Sequence, residues 1–381
     1  MNLRHGPGRV PRRPVEERPA ALVQTGSTPA GRTLPVVVEA VDDAVDPAAW
    51  AARDTGRLRD LLDRHGAVLL RGFQTTPGDL PRLLRPLGGD PLQYRERSTP
   101  RTALGGGVYT STDHPADQVI ALHNENAYQS AFPGLLAFQC TVPARAGGGT
   151  PLADCRRVLA RLAPAVVERF VRTGVCYLRT YHPGVGLSWQ DAFGTDDRDE
   201  VSSYSSRGGI EAHWRPDGTL HTRQTQPALA RHPRTGEDVW FNHAAFFHPD
   251  GLDPALRAAL RARYPREEDL PHHVTFGDGG PIPAADLAHI RAAYAAEAGV
   301  VPWRAGDVLL VDNLLAAHGR EPYRGERRVA VAMAGLLDRQ AVRADRQTVR
   351  EDRPAIREDR PAIREDRPAI REDRPAGEAA P

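Results

Sequence analysis

Two histidines and a glutamate are the residues whose type and spacing indicate metal chemistry in this chain. His123 and Glu125 lie two positions apart within LHNENAY, residues 122–128. In a β-strand, residues i and i+2 point to the same face, so both side chains can reach one metal ion. Two imidazoles and one carboxylate on one face of an octahedron leave three positions open, which is the arrangement of non-haem Fe(II) oxygenases. His-x-Glu alone is a weak signal, because a polar loop produces the same pair by chance.

A second His-x-acid pair is His248-Pro249-Asp250. Proline cannot donate to a strand ladder, and HPDG has the composition of a turn. We therefore exclude this pair from the metal site.

The third ligand is expected on a distant strand, and His318 fits that position. It follows the apolar segment GDVLLVDN, residues 306–313, and precedes the basic pair Arg327 and Arg328, which opens the next apolar segment. A guanidinium can bind a carboxylate with two parallel hydrogen bonds, so Arg328 is a candidate partner for a dicarboxylate ligand. Without the histidine, the basic pair would be read as the solvated start of a strand.

The elements that would position these residues follow from hydrophobic periodicity and capping signals. Helices are predicted over 46–64, 78–88, 153–173 and 284–298. Strands are predicted over 66–73, 134–140, 175–181, 238–242, 306–313 and 328–337. Late strands joined by long loops predict an α+β fold, with an antiparallel barrel or jelly roll and helices packed outside it. Residues 183–235 are polar and Gly-rich with little periodicity, which is typical of a lid or insertion.

The two ends of the chain differ from the middle in composition. Residues 1–32 are rich in Pro, Arg and Gly and predict a disordered arm. Three copies of the seven-residue unit REDRPAI and a fourth that lacks the final Ile run from Arg350 to Ala376, and the proline in each would break a helix. We therefore expect a catalytic domain over 33–340 and a disordered tail over 341–381.

Composition limits the partners of this chain. Fifty basic and 49 acidic residues give a net charge of +1, so no strong field recruits nucleic acid or an anionic membrane. Three cysteines without C-x-x-C spacing indicate neither a disulfide framework nor a thiolate zinc site. No long apolar run is present. These features favour a cytoplasmic protein that acts on a small molecule.

Four segments together make the chain resemble the TauD/TfdA-like superfamily, and within it the SyrP-like enzymes of peptide natural-product biosynthesis. They are LHNENAY, GGGTPLAD (147–154), HPRTGEDVWFN (232–242) and DNLLAAHGREPYRGERRVAVAM (312–333). The resemblance implies a double-stranded β-helix, a cupin-like jelly roll. It implies Fe(II) held by His123, Glu125 and His318, and 2-oxoglutarate whose far carboxylate meets Arg328 and the hydroxyl of Thr150. It also implies an amino-acid-derived substrate, either free or tethered to a carrier protein.

Three details of the resemblance bear on the reaction. Some members carry an arginine four residues beyond the 2-oxoglutarate arginine, where it binds an anionic substrate. Here that position is Ala332, which argues against a sulfonate. Halogenases of the superfamily have a small residue where this chain has Glu125, so hydroxylation is expected, with desaturation or epoxidation also compatible. Asn124, Asn126 and Asn242 are candidate substrate contacts, although each is equally well explained as an amide that caps backbone groups.

Two other readings stay open from the sequence. Two histidines and a glutamate can also bind zinc and activate water, although the chain has no H-E-x-x-H helix. An inert binding protein that keeps the fold is the third reading, and the presence of all three ligands argues against it.

Overall fold

The structure, a computed structural model, describes residues 23–26, 34–42, 45–93, 96, 101–112 and 114–344. The α-helices in these residues are α1 Pro47–Arg53, α2 Thr55–His65, α3 Leu80–Gly88, α4 Cys155–Arg161, α5 Pro164–Thr173, α6 Trp189–Phe193, α7 Arg198–Arg207, α8 Ala244–Phe247, α9 Pro254–Arg263 and α10 Ala284–Glu297. The first ten strands are β1 Val23–Gly26, β2 Val36–Ala40, β3 Ala67–Arg71, β4 Ala103–Gly105, β5 Val108–Thr110, β6 Ile120–His123, β7 Ala131–Val142, β8 Ala146–Gly147, β9 Thr150–Asp154 and β10 Val175–Tyr181. The remaining strands are β11 Glu211–Trp214, β12 Leu220–Gln226, β13 Leu229–Arg231, β14 Asp238–Trp240, β15 His272–Phe276, β16 Gly299–Val301, β17 Val308–Asp312, β18 Ala316–Arg320, β19 Tyr323–Arg324 and β20 Arg328–Asp338. The chain is thus a mixture of helices and mainly antiparallel sheets.

Capping residues explain where two predicted helices begin. The Asp46 carboxylate accepts hydrogen bonds from the backbone N–H groups of Ala48 and Ala49 at the start of α1. Asp154 does the same for Arg156 and Arg157 at the start of α4. These bonds satisfy donors that have no partner inside the helix. Both capping residues were predicted, but each predicted helix is divided in two, at Asp54 and at Leu162.

Two sheets enclose the part of the core that lies nearest the predicted metal ligands. The larger has the order β1-β2-β3-β17-β7-β20-β5-β4, and the smaller has the order β16-β9-β18-β6. Apolar side chains from both sheets form one buried cluster, which includes Leu136 and Phe138 of β7, Leu152 of β9 and Ala316 of β18. The opposite face of the larger sheet packs against α1, α2 and α3, through residues such as Trp50 and Leu83. Burial of both faces provides the main hydrophobic stabilisation of this sheet.

Strand β20 divides its side chains between these two clusters. Val329, Val331 and Met333 point into the cluster between the sheets. Ala330, Ala332 and Ala334 point to the helix-covered face. This alternation is the ordinary pleat of a strand. Ala332 therefore does not face the space between the sheets, so its small side chain carries no information about the substrate.

The segment 183–235 contains α6, α7, β11, β12 and β13 rather than irregular chain alone. Strands β11 and β12 continue a third sheet of order β11-β12-β10-β15. The two helices pack their apolar residues Trp189, Phe193 and Val201 against Tyr181 and Leu220. The sequence missed these elements because short amphipathic pieces with many polar residues give little periodic signal.

Both predicted domain boundaries need correction. Val23 is 3% exposed, and β1 pairs with β2, so the arm predicted over 1–32 includes a strand of the larger sheet. At the other end Val342 is 2% exposed, and its carbonyl accepts a hydrogen bond from the Arg231 backbone N–H. The first residues of the predicted 341–381 tail thus belong to the core, whereas the REDRPAI repeats lie outside the described residues. No helix within the described ranges combines the length and the apolar character needed to cross a membrane.

Candidate metal centre

Strands β6 and β18 bring the two histidines together. His123 and His318 are direct cross-strand partners, and their ring centroids lie 4.5 Å apart. Glu125 follows the end of β6, and its Oε2 lies 3.7 Å from Nε2 of His318. One potential ligand atom from each residue lies within 4.8 Å of the other two, and this is the one such His/Cys/Asp/Glu group in the part of the chain that is described. The geometry can therefore hold a metal ion between two imidazoles and one carboxylate.

The surroundings of His123 prepare it to bind a metal. Its Nδ1 lies 2.9 Å from the backbone carbonyl oxygen of Ala121, so a proton on Nδ1 is donated there and Nε2 keeps its lone pair. The ring stacks on Phe246 at a centroid distance of 4.5 Å. Burial, and next the nearby His318, lower the pKa of His123 well below its ordinary value. Neutral imidazole, the form that coordinates metals, is therefore favoured.

Glu125 is held in place by an asparagine that sequence reasoning missed. Asn313, directly after β17, accepts a hydrogen bond from the Glu125 backbone N–H at 2.7 Å and donates one to its carbonyl oxygen at 2.9 Å. Burial alone would raise the pKa of the Glu125 carboxyl, but Arg101 and the two histidines outweigh it and hold the pKa well below the usual range. Glu125 is thus a carboxylate at neutral pH. The DN pair after a buried strand was the available sequence signal for Asn313.

A small cavity of about 60 Å³ adjoins the three candidate ligands. Its lining residues are Arg101, Ser111, Thr112, Ile120, His123, Glu125, Phe138, Thr150, Phe246, His318, Gly319, Arg320, Arg327 and Val329. Thr150 is 6% exposed, and its hydroxyl oxygen accepts a hydrogen bond from the Trp303 indole at 3.1 Å. The hydroxyl proton of Thr150 therefore remains available to a ligand. Thr150 thus lines the cavity beside the candidate ligands.

Arg327, and not Arg328, faces this cavity. The Arg328 side chain is 69% exposed and pairs with Glu326 at 2.5 Å. Arg327, directly before β20, lines the cavity together with Val329. The expectation that Arg328 meets a buried dicarboxylate is therefore corrected in favour of Arg327.

Arg327 is a partly buried cation that forms no ion pair with any described residue. Its Nε donates a hydrogen bond to the Gly148 carbonyl oxygen at 2.9 Å. Burial, and next the positive charge of Arg320, lower the pKa of Arg327 to about 10. Gly148 has a φ of +73°, and a Cβ there would lie 3.1 Å from Cδ of Arg327, so the glycine run leaves space for this side chain. A buried charge of this kind is costly without a partner, which suits an anionic ligand.

The predicted substrate asparagines do not line the cavity. Asn124 donates a hydrogen bond to the Asn313 carbonyl oxygen at 2.7 Å and contacts Cys155. Asn242 bonds the Ala228 carbonyl oxygen and accepts from the Ala244 N–H, both at 2.9 Å, and so fixes the start of α8. Asn126 has a φ of 54° and is 5% exposed within the turn after β6. The alternative reading, amides that satisfy the backbone, is correct for Asn124 and Asn242.

The donor set fits a divalent iron ion. It offers two imidazole nitrogens and one carboxylate oxygen, and Nδ1 of His318 is buried without a hydrogen-bond partner among the described residues. Two neutral histidines and one carboxylate on one side of a metal leave coordination positions for a bidentate ligand and a gas molecule. Fold and site together define the class of non-haem iron oxygenases.

Comparison with known proteins narrows this class. The sequence model described as "Taurine catabolism dioxygenase TauD, TfdA family" matches residues 28–333. The dapdiamide synthesis protein DdaC of Enterobacter agglomerans is 41% identical over 275 residues, which cover 72% of this chain and 83% of that protein. A clavaminate synthase-like protein of Arabidopsis thaliana is 31% identical over 287 residues, which cover 72% of this chain and 83% of that protein. The chain belongs to the TauD/TfdA family.

Among solved structures, PvcB of Pseudomonas aeruginosa aligns with a TM-score of 0.51 and 17% identity, covering 87% of this chain and 98% of that one. A second PvcB structure, described as that of an Fe, alpha-ketoglutarate dependent oxygenase, aligns with a TM-score of 0.50 and 16% identity. The alignment covers 87% of this chain and 98% of that one. At such low identity these likenesses show a shared fold.

Family membership makes this chain a dioxygenase that uses Fe(II) and 2-oxoglutarate. The zinc-hydrolase and inert-protein readings are thereby set aside.

Proposed function

We propose that this enzyme hydroxylates an unactivated C–H bond of an amino-acid-derived substrate in natural-product biosynthesis, with His123, Glu125 and His318 as the iron ligands. The observation that carries the proposal is the site in which these three residues place their ligand atoms within 4.8 Å of one another. Since Glu125 supplies the carboxylate, no ligand position is left to a halide. Hydroxyl transfer is then the expected outcome.

The cavity supports a specific placement of 2-oxoglutarate. Its far carboxylate would pair with the Arg327 guanidinium and accept a hydrogen bond from the Thr150 hydroxyl. A buried guanidinium binds a carboxylate with charge-assisted, directional bonds, which would fix the orientation of the co-substrate. We also propose that the two facing sheets are the halves of a double-stranded β-helix, with the site between them.

The walls of the cavity would keep water from the reacting centre. Phe138, Phe246, Ile120 and Val329 supply its apolar surface. When bound, iron and 2-oxoglutarate supply the oxidation of the C–H bond, with O₂ as oxidant and succinate and CO₂ as co-products. The protein contributes metal geometry, exclusion of water and placement of the substrate.

The surroundings of the cavity leave space for a substrate larger than a free amino acid. A groove of about 1140 Å³ shares Ile120 and Phe246 with the cavity. Pockets for drug-sized ligands measure about 300–1,000 Å³, so this groove could hold a carrier-tethered chain. The relative DdaC is named for dapdiamide synthesis, which supports a role in a biosynthetic pathway. Both the free and the tethered form remain in the proposal, as do desaturation and epoxidation, which the same ligand set permits.

Mass spectrometry tests this proposal. The enzyme is incubated with Fe(II), ascorbate, 2-oxoglutarate and a panel of free and carrier-loaded amino acids. A product heavier by one oxygen atom, formed together with succinate, is expected for one member or a few related members. A product that has lost two hydrogen atoms would indicate desaturation, and a chlorinated product would contradict the role given to Glu125. Oxygen gain on an alkene-bearing substrate requires NMR to separate epoxide from alcohol.

A further inference from the structure

One peptide unit joins the two candidate metal ligands that are nearest to each other in the sequence. It consists of the Asn124 carbonyl group and the Glu125 N–H group, and it follows His123, the last residue of β6. The pairing of β6 with β18 ends at His123, so this unit lies outside the strand ladder. Its orientation must then be fixed by other contacts, because buried backbone groups need hydrogen-bond partners.

Asn313 binds the N–H side of this peptide unit. Its Oδ1 accepts the hydrogen bond from the Glu125 N–H at 2.7 Å. Its Nδ2 donates to the carbonyl oxygens of Glu125 at 2.9 Å and of Pro133 at 2.7 Å. Asn313 is fully buried, and Pro133 belongs to β7. The Asn313 side chain therefore ties the turn after β6 to the larger sheet.

His243 binds the carbonyl side of the same peptide unit. Its Nε2 lies 2.7 Å from the Asn124 carbonyl oxygen, and since a carbonyl oxygen only accepts, Nε2 carries the proton and donates it. His243 is 1% exposed, and its Nδ1 is buried without a hydrogen-bond partner among the described residues. The same carbonyl oxygen also accepts a longer hydrogen bond, of 3.3 Å, from the Ala127 N–H. Side chains thus hold the peptide unit at both ends.

His243 is a further histidine close to the metal centre, but it is not one of the candidate ligands. Its ring centroid lies 5.9 Å from that of His123. Among the described residues, the potential ligand atoms that come together belong to His123, Glu125 and His318. The Nε2 atom of His243 has no lone pair to give to a metal, because it carries the proton that it donates to Asn124. His243 therefore acts on the ligands through the backbone.

Helix α8 fixes His243 and also contacts a candidate ligand. The His243 N–H donates to the Tyr177 hydroxyl at 2.9 Å, at the start of this helix. Within the helix, the ring of Phe246 lies 4.5 Å from that of His123 and 5.0 Å from that of His243. The segment 232–242, one of the four that carry the family resemblance, ends directly before His243. This gives that segment a role in the site although Asn242 does not line the cavity.

We propose that Asn313 and His243 are positioning residues, which fix the peptide unit between Asn124 and Glu125 and so hold the Glu125 carboxylate where it binds iron. This inference rests on the proposed function, because it assumes that Glu125 is an iron ligand. The peptide unit is planar, so its rotation changes ψ of Asn124 and φ of Glu125 together. Such a rotation would turn the Glu125 side chain away from the two histidines. Removing groups that orient a metal ligand typically costs about 10–100-fold in metal affinity.

Metal affinity tests the proposal without turnover. Mn(II) binding is measured from the EPR signal of free Mn(II) for the wild type, Asn313→Ala, His243→Leu and His243→Gln. The control is Gln139→Leu, which removes an equally buried amide that donates instead to the Thr75 carbonyl oxygen. Asn313→Ala and His243→Leu should bind Mn(II) about tenfold more weakly than the wild type, and Gln139→Leu should match it. Unchanged affinity in Asn313→Ala and His243→Leu would overturn the proposal.

His243→Gln separates a positioning residue from a metal ligand. A glutamine amide can donate a hydrogen bond from the place of Nε2, so this variant should recover most of the affinity that His243→Leu loses. If His243 bound the metal itself, the glutamine and leucine variants would lose affinity alike. That result would overturn the positioning role.

Urea unfolding of the metal-free proteins separates misplaced ligands from loss of stability. Gln139→Leu should be destabilised much as Asn313→Ala is, because each loses buried hydrogen bonds, and it should still keep its Mn(II) affinity. An affinity that fell in step with stability in every variant, including Gln139→Leu, would refute the proposal.

Glu125→Ala, titrated in parallel, distinguishes this inference from the function on which it rests. Wild-type affinity in Glu125→Ala would refute the proposed ligand set. Weak binding in Glu125→Ala with wild-type affinity in Asn313→Ala and His243→Leu would refute only the positioning role. Since no arm depends on turnover, the expected affinities together with a failed mass-spectrometric panel would refute only the proposed reaction.

Discussion

The assignment of Arg327 to 2-oxoglutarate predicts a large difference between two adjacent arginines. Arg327→Met keeps most of the side-chain volume and removes the charge. Loss of one partner of a buried, hydrogen-bonded charge pair costs about 2–5 kcal/mol. At about 1.4 kcal/mol per factor of ten, the dissociation constant for 2-oxoglutarate should rise by about 30-fold or more. Arg328→Met should change it by less than about twofold, because exposed charges contribute little.

Stability measurements provide a second, independent test of this assignment. The pKa of Arg327 is lowered to about 10 in the folded protein, so at neutral pH its buried charge opposes folding. Without ligand, Arg327→Met should therefore be at least as stable as the wild type. A ligand stabilises the folded protein in proportion to the logarithm of its concentration divided by its dissociation constant. The stabilisation by 2-oxoglutarate should therefore be largely lost in Arg327→Met.

Calorimetric titration of Mn(II)-loaded enzyme with 2-oxoglutarate measures the affinity, and thermal unfolding with and without the ligand measures the stabilisation. Anaerobic conditions prevent turnover. Equal effects in the two variants, or a larger effect in Arg328→Met, would refute the assignment of Arg327 to 2-oxoglutarate.

Three further predictions concern the metal, the C-terminus and a buried acid. Alanine variants of each of the three proposed iron ligands should lose most bound iron and most succinate formation, because one of three protein donors is gone. Metal analysis and a product assay measure the two losses. A Glu125 variant with full iron content and full hydroxylation would contradict the ligand set. Truncation after Ala344 should leave the melting temperature unchanged. Truncation after Ala341 removes buried Val342 and should lower the free energy of unfolding by about 1–3 kcal/mol. Equal stability of the two products would show that Val342 does not pack in the core. Burial raises the pKa of Glu96 from 4.5 to about 7, although Arg179 and a hydrogen bond from Tyr204 oppose the rise. Folding then takes up a proton between these pH values. The free energy of unfolding of the wild type, measured in urea, should therefore fall relative to that of Glu96→Gln by about 2–3 kcal/mol as pH rises from about 4.5 to 7. A difference that stays constant with pH would refute this prediction.

Most secondary-structure elements around the site could be predicted because each carries its own local signal. The strand at 175–181 matches β10 in full, and the helix predicted over 284–298 matches α10 to within one residue. The elements that were missed are short or polar, such as β9, β11 and β18, the last of which contains His318. Strands of a few residues give too few alternations to be recognised.

The sequence by itself determined the chemistry of the site, since His123, Glu125 and His318 are the residue types that bind iron. Glu125 nevertheless lies in the turn after β6, and not in the strand from which its spacing to His123 was predicted. Tertiary structure alone decided which of two adjacent arginines faces the cavity, because only the packing of the sheets shows which side of the start of β20 is enclosed. It also decided that Asn124 and Asn242 satisfy backbone groups, and that Arg101 contacts Glu125. These contacts join residues far apart in the chain, so no local pattern in the sequence could have encoded them.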